Sequence, residues 1–196
     1  MNLVLASASA ARRRMLEAAG LAFDVETPRV DEEAAKASLR AEGLKAREQA
    51  DALAELKALS VSRKRAGLVI GADQMLAIGG DALDKPNSTL DARDHLVRLR
   101  GRTHELITAA VVAKDGAVIW RHIDTPKLKM RAFSDAFLDD YLARAGAEAL
   151  GSVGAYQLEG LGAQLFERVE GDYFSVLGLP LLPLLAFLRE HGAARS

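Results

Sequence analysis

The chain has 196 residues, 49% hydrophobic and 27% charged, enough for one buried core without disulfides and too apolar for intrinsic disorder. Lysine plus arginine (26) nearly balances aspartate plus glutamate (27), so the basic excess of a general nucleic-acid binder is missing. With no cysteine, a disulfide scaffold, a thiolate zinc site and a cysteine nucleophile are all excluded.

Residues 3–6 are a continuous apolar run and predict a strand buried on both faces. Residues 12–19 read as a helix with Gly20 just past its end, and residues 23–25 as a second strand. Residues 45–66 are rich in Ala, Leu, Glu and Lys, which predicts a long helix stopped by Gly67. Residues 68–70 predict another buried strand that ends in Gly71-Ala72-Asp73-Gln74. Gly79-Gly80-Asp81 reads as a turn, and Ser88 or Thr89 as the cap of a helix reaching Arg100. Residues 107–113 and 117–120 read as strands, and Asp115-Gly116 between them is a hairpin signal.

Residues 127–133 alternate polar and apolar, as a half-exposed strand does, and Ser134 is placed to cap the next helix. Residues 151–178 read as turn-rich. Residues 176–188 form an apolar run with two early prolines, read as a turn and then a buried helix. That run is shorter than the roughly 20 residues of a spanning helix. The apolar N-terminus precedes Arg12-Arg13-Arg14, the reverse order of a secretory signal. The expectation is a soluble, cytoplasmic α/β protein with a mixed sheet, one domain over residues 1–196 and no membrane partner.

Three segments carry chemistry-bearing residues. Ser7-Ala8-Ser9-Ala10-Ala11-Arg12 lies between a strand and a helix start, where backbone N–H groups and the helix dipole favour an anion. Two hydroxyls and a guanidinium there suit a phosphate; the plainer reading is a serine cap followed by a solvated arginine. Asp73 is read at the carboxyl end of a buried strand, the edge where open α/β sheets bind ligands. A carboxylate there holds a metal or activates water, or else caps a turn. Lys57 in the long helix, Lys85 before Pro86, and Glu32 within Asp31-Glu32-Glu33 each have an ordinary solvated reading beside a catalytic one. No Walker or dinucleotide glycine motif is present, and the four histidines lack metal-ligand spacing. His104 reads as a hydrogen-bonded structural residue in a turn leading into a strand.

In order along the chain, Ser7-Ala8-Ser9-Ala10-Ala11-Arg12, Asp31-Glu32, Leu53-Ala54-Glu55-Leu56-Lys57-Ala58, Gly71-Ala72-Asp73, Lys85-Pro86, Gly101-x-x-His104, Thr108, Gly154-Ala155-Tyr156-x-x-x-Gly160, Gly171-Asp172-Tyr173 and Gly178-Leu179-Pro180 resemble the motifs of the Maf family of nucleoside triphosphate pyrophosphatases, first named for septum inhibition. The resemblance implies two lobes around an elongated mixed sheet flanked by helices, with a central cleft. It implies hydrolysis of a nucleoside triphosphate to the monophosphate and pyrophosphate with Mg²⁺ or Mn²⁺, and a homodimer. It implies a catalytic set of Asp73, Glu32, Lys57 and Lys85, with Asp73 accepting a proton from the attacking water and Glu32 and Asp73 holding the metal. Ser7, Ser9 and Arg12, with the two lysines, would bind phosphate.

The positions that differ between branches are Ala11, Gln74 and Glu159. Gln74 and Glu159 are similar to the branch acting on 7-methyl-GTP rather than the one acting on dTTP and UTP. A carboxylate accepts from guanine N1–H and N2–H₂, and methylation at N7 adds a positive charge that Glu159 would favour. Ala10 stands where the family has proline, and Gly151-Ser152-Val153 where it has Asp-Lys-Ala. The alternatives are a dTTP/UTP-type pyrophosphatase, or a nucleotide-responsive binding protein that restrains cell division.

Overall fold

Long runs of β-branched and aliphatic residues set the strands, and serine and aspartate caps set most helix starts. The computed structural model describes residues 2–195. It opens with β1 (Leu3–Ala6), α1 (Ala10–Ala18), β2 (Asp24–Val25), α2 (Glu32–Ala41) and α3 (Ala46–Ser62). Then come β3 (Leu68–Ile78), β4 (Asp81–Leu83), α4 (Thr89–Leu99), β5 (Thr103–Lys114) and β6 (Ala117–Asp124). The chain closes with β7 (Lys127–Met130), α5 (Asp135–Ala145), three short 3₁₀ turns, β8 (Phe166–Glu170), α6 (Tyr173–Val176) and α7 (Leu181–Glu190). Among the described residues the fold is mixed α/β: eight strands in one sheet, seven α-helices, and no closure into a barrel.

The chain divides into two compact units, and β3 and β5 run through both. The first unit holds residues 1–74, 108–124 and 172–196. Here β1 pairs parallel with β2 and with the first half of β3, while β5 and β6 form the antiparallel hairpin that Asp115-Gly116 predicts. Leu5, Leu16, Ile70, Val112, Leu184 and Leu188 belong to its core, each almost fully buried. Each such side chain contributes about 1.5–3 kcal/mol relative to exposure.

The second unit holds residues 75–107 and 125–171. In it β4 folds back on the end of β3 through the Gly79-Gly80 turn, and β7 pairs antiparallel with both β5 and β8. His104 sits in β5, not in a turn ahead of it, because the strand begins at Thr103. It is 1% exposed, and its Nε2 lies 2.7 Å from the Tyr156 hydroxyl. His104 Nδ1 is buried with no hydrogen-bond partner. A buried N–H there would be orphaned, so the proton belongs on Nε2, donating to Tyr156.

Several expected boundaries move, β5 and β6 among them, which run over Thr103–Lys114 and Ala117–Asp124; three more change the reading of the chain. The first is β3, which does not stop at Ile70 but continues to Ile78, so Asp73 lies within the strand and not at its carboxyl edge. The glycine that reads as a strand terminator is instead a contact point for α3, as described below. The second is the long helix, which begins after Lys45 as N-cap and ends at Ser62 rather than Ala66. The third is β7, which ends at Met130, next to a register shift against β8. Ser88 and Ser134 cap α4 and α5 as the sequence predicts, accepting from Asp91 and Phe137 N–H.

Burial holds His104 neutral, with its pKa pulled from 6.5 to about 4. The neutral ring's contribution to stability is present in full above pH 6.5 and is lost as pH falls toward 4, about 3 kcal/mol over that window. The slope of thermal midpoint against pH between 6.5 and 4 is therefore expected to be shallower in His104→Gln, which keeps a partner for Tyr156 without titrating. Parallel slopes for the two proteins would contradict the assignment.

Candidate active site in the first unit

Gly71 has no side chain, and α3 uses the space. A Cβ built on Gly71 would fall 2.3 Å from the Ala54 carbonyl oxygen and 2.5 Å from the Ala58 backbone nitrogen. Helix and strand backbones thus approach directly, which only glycine permits. This contact lies on the Ala54 and Ala58 face of α3, the face that also carries Lys57 inward. Lys57 is 5% exposed, so the reading of it as a solvated helix residue is wrong. Its ammonium Nζ donates to Asp73 Oδ1 at 2.7 Å and lies 3.0 Å from Glu32 Oε2.

Asp73 itself is 6% exposed. Glu32 is half-buried and comes from the first turn of α2, which Asp31 caps by accepting from Ala34 N–H. Two carboxylates from different elements therefore converge on one cationic atom. An ion pair this deep is retained only where geometry and further hydrogen bonds offset desolvation.

Arg12 is also buried, which removes the solvated-arginine reading. Its Nε donates to the Gly178 carbonyl at 2.8 Å, and Nη1 donates to the Ala72 carbonyl at 2.9 Å and to Ser7 Oγ at 3.3 Å. Burial lowers the pKa of this guanidinium, and the fields of Asp73 and Glu32 oppose that shift. Ser7 Oγ accepts from Arg12 and from Ser9 N–H at 3.2 Å, which leaves its O–H to donate elsewhere. Ser9 is the cap of α1, accepting from Arg12 N–H, so the plain serine-cap reading of this position holds. Ala11 follows in the first turn of α1, partly exposed.

Gln74 does not extend a free amide. Its Nε2 donates to Thr108 Oγ1 at 2.8 Å and to the Ser175 and Val176 carbonyls at 2.9 and 3.1 Å. Thr108, Ser175 and Asp124 form a polar network around the Gln74 amide; Thr108 is among the ordered motif residues, whereas residue patterns alone do not single out Asp124 or Ser175. A lone serine within Phe174-Ser175-Val176-Leu177 is the one signal that marks it.

Ser7, Ser9, Arg12, Glu32, Lys57, Asp73 and Gln74 are all in the first unit. Lys85 and Glu159 belong to the second, Lys85 exposed after β4 and Glu159 exposed in the turn closed by Gly160 N–H on the Gln157 carbonyl. Among the described residues no helix is long and apolar enough to cross a membrane.

Comparison with known proteins shows the family of the chain. Residues 2–191 match the family model described as Maf-like protein. The chain is similar to the nucleoside triphosphate pyrophosphatase of Hyphomonas neptunium, 56% identical over 189 residues that cover 96% of both chains. It is likewise similar to a Caulobacter vibrioides protein of that name, 57% identical over 96% of this chain and 95% of the relative. A 7-methyl-GTP pyrophosphatase of Rhizobium meliloti is 50% identical over 192 residues, covering 97% of this chain and 96% of the relative.

Gly71→Ala is expected to push α3 off β3 and cost about 1–3 kcal/mol, a fall in thermal midpoint of roughly 2–12 °C. Calorimetry checks this; an unchanged midpoint would contradict the close approach.

Proposed function

The chain belongs to the Maf family of nucleoside triphosphate pyrophosphatases, and from that premise we propose that it hydrolyses a modified guanine nucleotide, 7-methyl-GTP, to the monophosphate and pyrophosphate through Asp73. The observation that carries this reading is the convergence of Asp73 and Glu32 on the Lys57 ammonium, with Arg12 and Ser7 alongside. Two anions and two cations balance in that group, so an incoming triphosphate meets positive donors without facing a net negative site.

In the proposed reaction water attacks the α-phosphorus, and one of its protons passes to Asp73. The bond from the α-phosphorus to the bridging oxygen breaks, and pyrophosphate leaves with that electron pair. Lys57 holds Asp73 Oδ1, which leaves Oδ2 as the oxygen we assign to the proton. The same lysine keeps a third N–H for a phosphate oxygen. Arg12, Ser7 and Ser9 grip the phosphates and offset charge on the leaving group, with Lys85 in the same role. Phosphoryl transfer rests mainly on such positioning and electrostatic stabilisation.

The donor set also fits a hard divalent cation. Glu32 and Asp73 each turn one oxygen to the Lys57 ammonium and keep further lone pairs that could hold Mg²⁺ or Mn²⁺, which commonly takes one or two carboxylates and completes its shell with phosphate oxygens and water. Among the described residues no cluster of three or more metal-ligating side chains stands ready, so the triphosphate itself would supply the remaining ligands. Such an ion would polarise the phosphate oxygens when bound.

For the base, we assign Glu159 as acceptor for guanine N1–H and N2–H₂, strengthened by the charge of an N7-methyl group. Gln74, fastened to Thr108 and the Ser175 and Val176 carbonyls, acts as a brace and not as a direct reader of the base. The similarity to the Rhizobium meliloti enzyme supports this choice.

A panel of standard and modified triphosphates with pyrophosphate detection tests the proposal. The expected result is a kcat/KM for 7-methyl-GTP at least about tenfold above those for dTTP and UTP, narrowed by Glu159→Gln. A preference for pyrimidines in the parent protein would refute the base assignment.

A further inference from the structure

The phosphate-binding guanidinium is aimed by a segment that the reaction does not otherwise use. Arg12 is fixed by two main-chain carbonyls. One, on Ala72, belongs to β3 and is held by the sheet. The other, on Gly178, lies in the turn after α6, where Gly178 has φ +103°. Helix α6 has only four residues, too few to be stable by its own backbone bonds. Backbone bonds from Gly178 N–H to the Ser175 carbonyl and from Leu179 N–H to the Phe174 carbonyl close the turn, so the place of the Gly178 carbonyl depends on what holds Ser175.

Ser175 supplies that control. It is fully buried, and every polar group it has is engaged. Its N–H donates to Asp172 Oδ2 at 2.6 Å, and its hydroxyl donates to Asp124 Oδ2 at 2.7 Å. Its carbonyl accepts from Thr108 Oγ1, from Gln74 Nε2 and from Gly178 N–H. Asp124 closes β6 and also faces His122, whose Nε2 is 3.3 Å from Oδ1. A continuous chain of hydrogen bonds thus runs from the end of β6 through Ser175 to Gly178 and on to Arg12 Nε. Gln74, the residue after Asp73, joins it at Ser175.

We propose that Asp124 and Ser175 are positioning residues that aim the Arg12 guanidinium at the triphosphate by fixing the Gly178 carbonyl. This rests on the reading of Arg12 as a phosphate-binding group. The network touches no reacting atom. Its effect is on the direction of the two Nη2 N–H groups, the donors left once Nε and both Nη1 hydrogens are engaged, and charge-assisted N–H donors to phosphate are directional.

The test is a double-mutant cycle read by calorimetric affinity for α,β-methylene-GTP with Mg²⁺, alongside thermal midpoints. Ser175→Ala and Asp124→Ala are each expected to weaken binding roughly tenfold. Asp124→Asn keeps an acceptor for the serine hydroxyl and is expected to stay within about twofold of the parent. Because Ser175 is fully buried and Asp124 is partly exposed, the Asp124 variants keep the test valid even where Ser175→Ala fails to fold. In an Arg12→Lys background, which lacks the fork, Asp124→Ala is expected to cost nothing further. An equal loss in both backgrounds, or no loss in either, overturns the proposal. If Arg12→Lys alone binds as tightly as the parent, the phosphate-grip reading fails first, and the positioning role falls with it.

Discussion

The buried Lys57–Asp73 ion pair is the constraint that the first unit is organised around. Placing an ammonium and a carboxylate at about 5% exposure costs several kcal/mol per ion in desolvation, and only close geometry with further partners offsets it. The fold meets that demand in two ways. Gly71 lets α3 sit directly on β3, which fixes how far Lys57 reaches. Glu32, from the capped start of α2, supplies a second anion on the same ammonium. A purely structural pair of this kind would gain little over apolar residues, so its retention beside Arg12 and Ser7 favours a chemical role.

Arg12 solves a different problem. Its charge is buried on neutral carbonyl acceptors and a hydroxyl, not clamped by a carboxylate. That leaves the guanidinium held in direction, and the fields of Asp73 and Glu32 oppose the lowering of its pKa by burial. Lysine and arginine thus divide the work. In the proposed reaction Lys57 would anchor the water-activating carboxylate and Arg12 would meet phosphate. Their neighbours Ser7 and Ser9 follow from one strand-to-helix junction, where capping and phosphate binding draw on the same residue types.

Much of this was legible in the sequence, and what was not has identifiable causes. The strand at residues 3–6, the Ser9, Ser88 and Ser134 caps and the Asp115-Gly116 hairpin are local patterns, and they hold. The ordered motifs carry the resemblance to the Maf family in the sequence itself. Asp73 was misplaced at a strand end because Gly71 reads as a breaker; its meaning depends on α3, a partner distant in sequence. Lys57 keeps a solvated reading beside its catalytic one for the same reason, since a lysine in an Ala- and Glu-rich helix carries no local sign of the carboxylates it meets. Asp124 and Ser175 are joined only by tertiary folding and have no spacing to give them away. Gln74, marked by a family comparison as a specificity position, turns out to be tied to the closing loop of its own unit.

The most direct measurement is turnover by Asp73→Asn with the fold checked by circular dichroism and thermal unfolding. Asparagine still accepts from Lys57 but takes no proton from water. The account predicts a kcat lower by about 10²–10⁴-fold in a protein that remains folded. A folded Asp73→Asn enzyme with kcat near the parent's would contradict it.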